Sequence, residues 1–295
     1  MNMRGQLVET VSSILETDER LVLLLGDIGV WGFRNAFERF PERAYNMGIL
    51  EQATVSAAAG LAISGLIPVF HTIAPFIVER SAEQLKIDFC YQGLGGNFIS
   101  VGASYDYAAL GCTHHCPADA GLLMNIPGME IVAPGTSSEF DRLFREAYAN
   151  GHPTYYRLSE RENRVGHEVL FGRATVIRRG GQATVVAIGP VLDAVMEAVS
   201  GLDATVLYYT TVSPFDSETL RQNAHSGKVL VVEPFYQGTM TRSIWEALGP
   251  GKVSLDCIGV PRAFLTNYGT AEDHDKAVGL TPEHIRERLE DLIDG

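Results

Sequence analysis

"EQATVSAAAGLAISGLIPVFHTIAPFIV", residues 51–78, decides the fold by how it is read. From Gln52 to Val78 it holds no Asp, Glu, Lys or Arg. A membrane-spanning helix needs about 20 apolar residues in one unbroken helix. Gly60, Gly65, Pro68 and Pro75 interrupt this run, and His71 and Thr72 put polar groups inside it. The stretch therefore reads as a buried helix rich in Ala, Gly and Ser, packed closely on other backbone, followed by the buried strand "IPVF" (67–70).

The alternation continues in both directions. "LVLLLGD" (21–27) is an apolar run ending at a glycine turn, and so a buried strand. Before it, Leu7, Val11, Ile14 and Leu15 mark one face of an amphipathic helix. After the opening stretch come a helix at 78–92, strands at 97–104, 129–134 and 153–159, and a helix at 136–151. Thr136 and Glu139 predict a capping box for that last helix, and Gly151 its stop. A charged segment without period, 161–172, reads as a linker.

A second series follows, with strands at 183–189, 204–212, 228–234 and 252–259 between helical runs. It ends in a helix at 281–293 with Thr281 as cap and Pro282 at its first position. Such alternation implies mostly parallel sheets covered on both faces. The expected fold is α/β, two doubly wound domains, 1–160 and 173–295.

Composition narrows the function. The 295 residues are 46% hydrophobic and 20% charged, enough for a substantial core. A net charge of -13 argues against binding nucleic acid, whose phosphates call for a basic surface. Four scattered cysteines make no disulfide framework, and the N-terminal residues lack the apolar run of a signal peptide. A cytoplasmic protein acting on a small molecule, with no membrane role, is the expectation.

Three places carry candidate chemistry. Glu51 opens the charge-free helix, where the helix dipole favours a carboxylate by about 0.3–1 kcal/mol. Buried between "MGIL" and that helix, it would also be suited to holding or sharing a proton. Phe76, after Pro75, reads as core or as a platform for a flat heterocycle. The loop "GCTHHCPADAG" (111–121) offers Cys112, His114, His115 and Cys116. Adjacent side chains on an extended loop point to opposite sides, so this set closes a zinc tetrahedron poorly. A core histidine, or a loop at the mouth of an active site, are the other readings.

"GILEQ" (48–52), "GCTHHCPADAGLLMNIPGMEIVAPG" (111–135), "HPTYYRLS" (152–159) and "VVEPFYQGTM" (231–240) occur in this order. Together they resemble the C-terminal portion of the transketolase family: its pyrimidine-binding domain, then its C-terminal domain. The resemblance implies thiamine diphosphate as cofactor. Glu51 would hydrogen-bond the aminopyrimidine and favour its imino form, which takes the proton from the thiazolium carbon and leaves a carbanion nucleophile. Phe76 would stack on the pyrimidine, and Asp27 falls where the family has an acidic residue near the cofactor. His114 matches the histidine that reaches the donor substrate, with His115 beside it, and Arg157 lies near a phosphate-binding arginine of relatives. Leu110 stands where sugar-phosphate transketolases carry an aspartate, and Cys112 where they carry proline.

The family binds the diphosphate and Mg2+ through Gly-Asp-Gly followed some residues later by Asn; this sequence has Gly26-Asp27-Ile28. The resemblance therefore implies a partner, an N-terminal transketolase subunit that holds the diphosphate and Mg2+, in an α2β2 heterotetramer. The expected activity is transfer of a ketol or acyl unit to an aldehyde acceptor. The alternatives are the beta subunit of a 2-oxo-acid dehydrogenase, a relative of 1-deoxyxylulose-phosphate synthase, or a non-catalytic or metal-binding protein of the same fold. The C-terminal domain is expected to pack at a subunit interface, with His225, His274 and His284 in solvent.

Overall fold

The computed structural model describes residues 1–251 and 253–295. Its strands are β1 (Leu21–Leu25), β2 (Ala44–Asn46), β3 (Ile67–Ile73), β4 (Gly96–Val101), β5 (Glu130–Val132), β6 (Pro153–Arg157), β7 (Thr175–Arg178), β8 (Ala183–Ile188), β9 (Ala204–Tyr209), β10 (Thr211–Ser213), β11 (Lys228–Tyr236) and β12 (Ser254–Val260). Its helices are α1 (Met3–Thr17), α2 (Arg34–Arg39), α3 (Glu51–Ile63), α4 (Ala74–Ile77), α5 (Ala82–Gln84), α6 (Asp119–Leu123), α7 (Ser137–Ala147), α8 (Leu192–Ala198), α9 (Ser217–Asn223), α10 (Thr241–Leu248), α11 (Ala271–Val278) and α12 (Pro282–Asp294). Lys252, the first residue of the last expected strand, lies outside the described residues.

Two sheets carry the fold. The first has seven strands in the order β10-β5-β6-β4-β3-β1-β2, and the second five in the order β12-β11-β8-β9-β7. All pairings are parallel except those of the edge strands β10 and β7. The apolar run of β1 is buried along its whole length, as a strand covered on both faces must be. Helix α1 covers one side of it with Leu7, Val11, Ile14 and Leu15, all buried. This is the α/β architecture with mostly parallel sheets that the alternation predicts.

Several elements differ from expectation for physical reasons. The run 204–212 breaks at Thr210. Strand β9 stays in the second sheet, while β10 crosses to pair antiparallel with β5 of the first. Two halves of one apolar run thus tie the sheets together. The helix expected at 78–92 is instead the short α5 and a π-helical turn, Leu85–Cys90. That turn places Phe89 edge-on to Phe98 at 4.8 Å and directly over Gly96, where a Cβ would lie 2.6 Å from the ring. Helix α3 buries only Glu51, Thr54, Val55, Ala58 and Ala59. Its other face, Gln52, Ala53, Ser56, Ala57 and Gly60, is exposed.

The capping box at α7 is half formed. Thr136 Oγ1 accepts from Glu139 N–H at 3.3 Å, but the Glu139 carboxylate accepts from Gly135 N–H, His167 N–H and the Tyr208 hydroxyl. It is spent on joining the domains. The segment 161–172 is strapped down by Asn163, whose N–H donates to Gly135 O and whose side chain donates to Gly189 O.

The turn 233–240 rests on Glu233, which is fully buried and accepts from the N–H of Gly238 and of Met240. Burial pushes its carboxyl up to about 8, although the backbone donors oppose the shift. With a folded value above the ordinary 4.5, the group's stabilising contribution is complete below that pH and is lost as pH rises toward about 8. The urea midpoint should fall over that window, and Glu233→Gln should flatten the fall. An equal slope in both proteins would assign the effect elsewhere.

Candidate active site

Parallel α/β sheets place their sites at the carboxyl ends of the strands. Asp27 follows β1, Glu51 lies beyond β2, Phe76 follows β3, and the loop bearing His114 lies beyond β4.

Glu51 is the first residue of α3 and is 1% exposed. Its Oε2 accepts from Arg80 Nη1 at 2.6 Å, while its Oε1 is buried without a hydrogen-bond partner. A buried carboxylate oxygen left unpaired costs free energy unless something else satisfies it. Arg80 offsets half of that cost and also lies over the Phe76 ring, its guanidinium carbon 4.2 Å from the centroid. Pro75 sits in the first turn of the short helix α4 and presents Phe76 half-buried. The edge of Phe76 meets the His114 ring at 5.5 Å, and His114 meets Tyr107 at 6.3 Å. Thr113 Oγ1 lies 2.9 Å from His114 Nδ1 and fixes the ring. The side chains thus form a continuous row: Glu51, Arg80, Phe76, His114, Tyr107. Sequence reading missed Arg80, although its spacing of four from Phe76 was a usable signal for a guanidinium over a ring.

Asp27 stands apart from this row, at φ +58, in the left-handed region. Asn46 holds it there, accepting from its N–H at 3.0 Å and donating to its Oδ1 at 2.9 Å. Asp27 lines a cleft of about 590 Å³ with Arg4 and Trp31. Leu110 is 53% exposed, at the end of a 3-10 turn, Ala108–Leu110, that leads into the His114 loop.

Two expected site residues lie elsewhere. Arg157 is no surface anion ligand: it is buried, with its Nε bonded to Asp119 Oδ2 at 2.7 Å. Its Nη2 donates to Ser104 Oγ at 2.6 Å and to Pro234 O at 2.9 Å. It pins the second domain to the first. His115 leaves the turn Cys112–His114, closed by His114 N–H on Gly111 O, and its ring meets different partners from those of His114. It is 7% exposed and meets the ring of His274 at 5.3 Å. His274 is fully buried rather than solvated, its ring also 5.0 Å from that of Tyr105. Desolvation depresses the basicity of both histidines.

The cysteines diverge too. Cys112 is exposed, whereas Cys116 is buried with its thiol 3.7 Å from Glu79 Oε1. Among the described residues no three His, Cys, Asp or Glu side chains converge on one point as metal ligands.

The row of side chains fits the pyrimidine end of thiamine diphosphate. Glu51 Oε1 is a buried carboxylate oxygen without a partner, and Phe76 is a half-buried ring joined to Glu51 through Arg80.

Residues 1–165 match the family model of the transketolase pyrimidine binding domain, and residues 172–285 that of the transketolase C-terminal domain. An uncharacterized 33.6 kDa protein in the fasciation locus of Rhodococcoides fascians is 37% identical over 288 residues, covering 96% of this chain and 92% of that protein. The 6-deoxy-6-sulfo-D-fructose transketolase subunit SqwH of Clostridium sp. (strain MSTE9) is 29% identical, covering 96% and 92%. A split-gene transketolase, solved as an inactive beta4 tetramer, shares the fold with a TM-score of 0.87 at 24% identity, over 100% of this chain and 98% of that one. The chain belongs to the transketolase family, as that family's pyrimidine-binding domain followed by its C-terminal domain.

Proposed function

We propose that this chain is the C-terminal subunit of a split, thiamine-diphosphate-dependent transketolase. It transfers a ketol or acyl unit from a donor to an aldehyde acceptor, in an α2β2 complex whose other subunit holds the diphosphate and Mg2+. The observation that carries this reading is the buried, unpartnered Oε1 of Glu51 beside Phe76, at one end of a row that leads to His114. The naming of a full-length relative as a transketolase subunit supports it.

Thiamine diphosphate, when bound, supplies the nucleophilic carbon for making and breaking the bond beside a carbonyl. Glu51 Oε1 is free to hold a proton and would face the pyrimidine, while Arg80 pairs with Oε2 and keeps the carboxylate oriented. Phe76 would support the pyrimidine, with the Arg80 guanidinium lying over its ring. His114, its Nδ1 anchored by Thr113, orients the donor's oxygen.

The test is reconstitution. The purified chain alone should neither bind thiamine diphosphate tightly nor turn over a ketose. Mixed with a second subunit bearing Gly-Asp-Gly and Asn, it should gain both, at a mass corresponding to two copies of each. Tight cofactor binding with turnover by this chain alone would end the split-enzyme reading.

A further inference from the structure

The row of side chains does not stop at Tyr107. Together with Asn2, Arg4, Ser159 and Glu160, Tyr107 lines a cleft of about 330 Å³. Asn2 and Arg4 also line the larger cleft of about 590 Å³, bounded by the loop Asp27–Gly32. Asn2 and Arg4 are thus common to both linings, and Tyr107, in the smaller cleft, meets the His114 ring. The Tyr107 ring is seated on bare backbone: Gly102 has φ +76, and a Cβ there would lie 2.5 Å from the ring. The row thus ends at a polar cleft that Tyr107 lines together with Arg4 and Glu160.

The charges at that terminus set its chemistry. One cation, Arg4, and two carboxylates, Asp27 and Glu160, line the two clefts. A third carboxylate, Asp106, lies buried behind Glu160 and accepts its N–H at 2.9 Å. Arg161, the nearby cation, is bound to Asp275 and faces Asp106 at 3.8 Å. Under Gly29, His71 is held neutral, because burial lowers it to about 4. A phosphate dianion at Arg4 would therefore also face Glu160 and Asp27. A hydroxyl suits both partners, since it donates to a carboxylate and accepts from a guanidinium. Tyr107 adds a further donor, because burial keeps its proton on.

Building on the transketolase reading above, we propose that this pair of clefts receives the end of the substrate remote from the reacting carbon, and that Glu160 makes it selective for hydroxyl-terminated substrates over phosphate monoesters. Glu160 is a specificity residue in this scheme. Its unfavourable contact with a phosphate rejects one substrate class as effectively as a new bond would select another.

The reconstituted complex decides the matter with one donor pair, D-xylulose and D-xylulose 5-phosphate, and glycolaldehyde as acceptor. The unphosphorylated donor should have the higher kcat/KM, by about tenfold or more. Glu160→Arg should move that ratio toward the phosphate ester by at least about tenfold, mainly through KM. Glu160 is exposed, so this variant should fold, and its melting temperature checks that. A wild-type preference for the phosphate ester overturns the proposal and leaves the transketolase reading intact, as does a ratio unmoved by a folded Glu160→Arg. Absence of turnover with either donor overturns both.

Discussion

Glu51→Gln should lower kcat/KM of the reconstituted complex about 10²–10⁴-fold, the range for removing a positioned proton-transfer group. The protein should stay folded. The amide matches the carboxylate in shape and can still offer an oxygen to Arg80 Nη1. The half that changes is Oε1, the buried atom with no partner in the chain. Replacing the carboxylate leaves nothing there that can give and take a proton.

Magnitudes separate this role from the plainer one. If Glu51 were only a favourable charge on a helix N-terminus, its loss would cost about 0.3–1 kcal/mol of stability and leave turnover alone. The two readings therefore predict opposite patterns: activity lost with the fold kept, or a small loss of stability with activity kept. Cofactor affinity gives a third readout. Calorimetric titration of thiamine diphosphate should show a smaller loss than kcat/KM does, because the pyrimidine's seat beside Phe76 survives. Unimpaired turnover in Glu51→Gln would sink the catalytic assignment.

How much of this was legible in the sequence depends on the range of the interaction. Most of the strands and helices were, because each is a local pattern: the four buried leucines and the valine of β1, or Thr281 and Pro282 at the start of α12. Glu51 was legible because it opens a long uncharged run at the start of a helix pattern. The division of labour between His114 and His115 was half legible. Alternation predicts that they face opposite ways, but only the fold says which one meets Phe76 and which one meets His274. The exit of β10 into the other sheet was invisible, because a run of apolar residues does not say which sheet will bury it. Glu139 was misjudged for a related reason. Its local partner, Thr136, was in view, whereas Tyr208, 69 residues away, was not.

Arg157 is the clearest case of a residue whose type suggested one role and whose partners give it another, and its removal should have the largest effect on stability. Arg157→Ala should destabilise the chain by about 3–5 kcal/mol, the cost of breaking a buried ion pair by removing one partner. Asp119, 38 residues away and fully buried, would keep a carboxylate without its guanidinium. The Tyr155 hydroxyl, 3.1 Å from Asp119 Oδ2, cannot neutralise it. The Pro234 carbonyl, 77 residues away in the second sheet's longest strand, would lose an N–H donor. Replacing both partners with apolar residues, as in Arg157→Met with Asp119→Leu, should cost much less than the single change, because no charge is then stranded. Urea denaturation of the two single variants and the double variant measures this coupling. An anion-binding arginine at the surface predicts the reverse: a raised KM for a phosphorylated substrate, little change in stability, and no coupling to Asp119. A loss below about 1 kcal/mol in Arg157→Ala would favour that reading over the structural one.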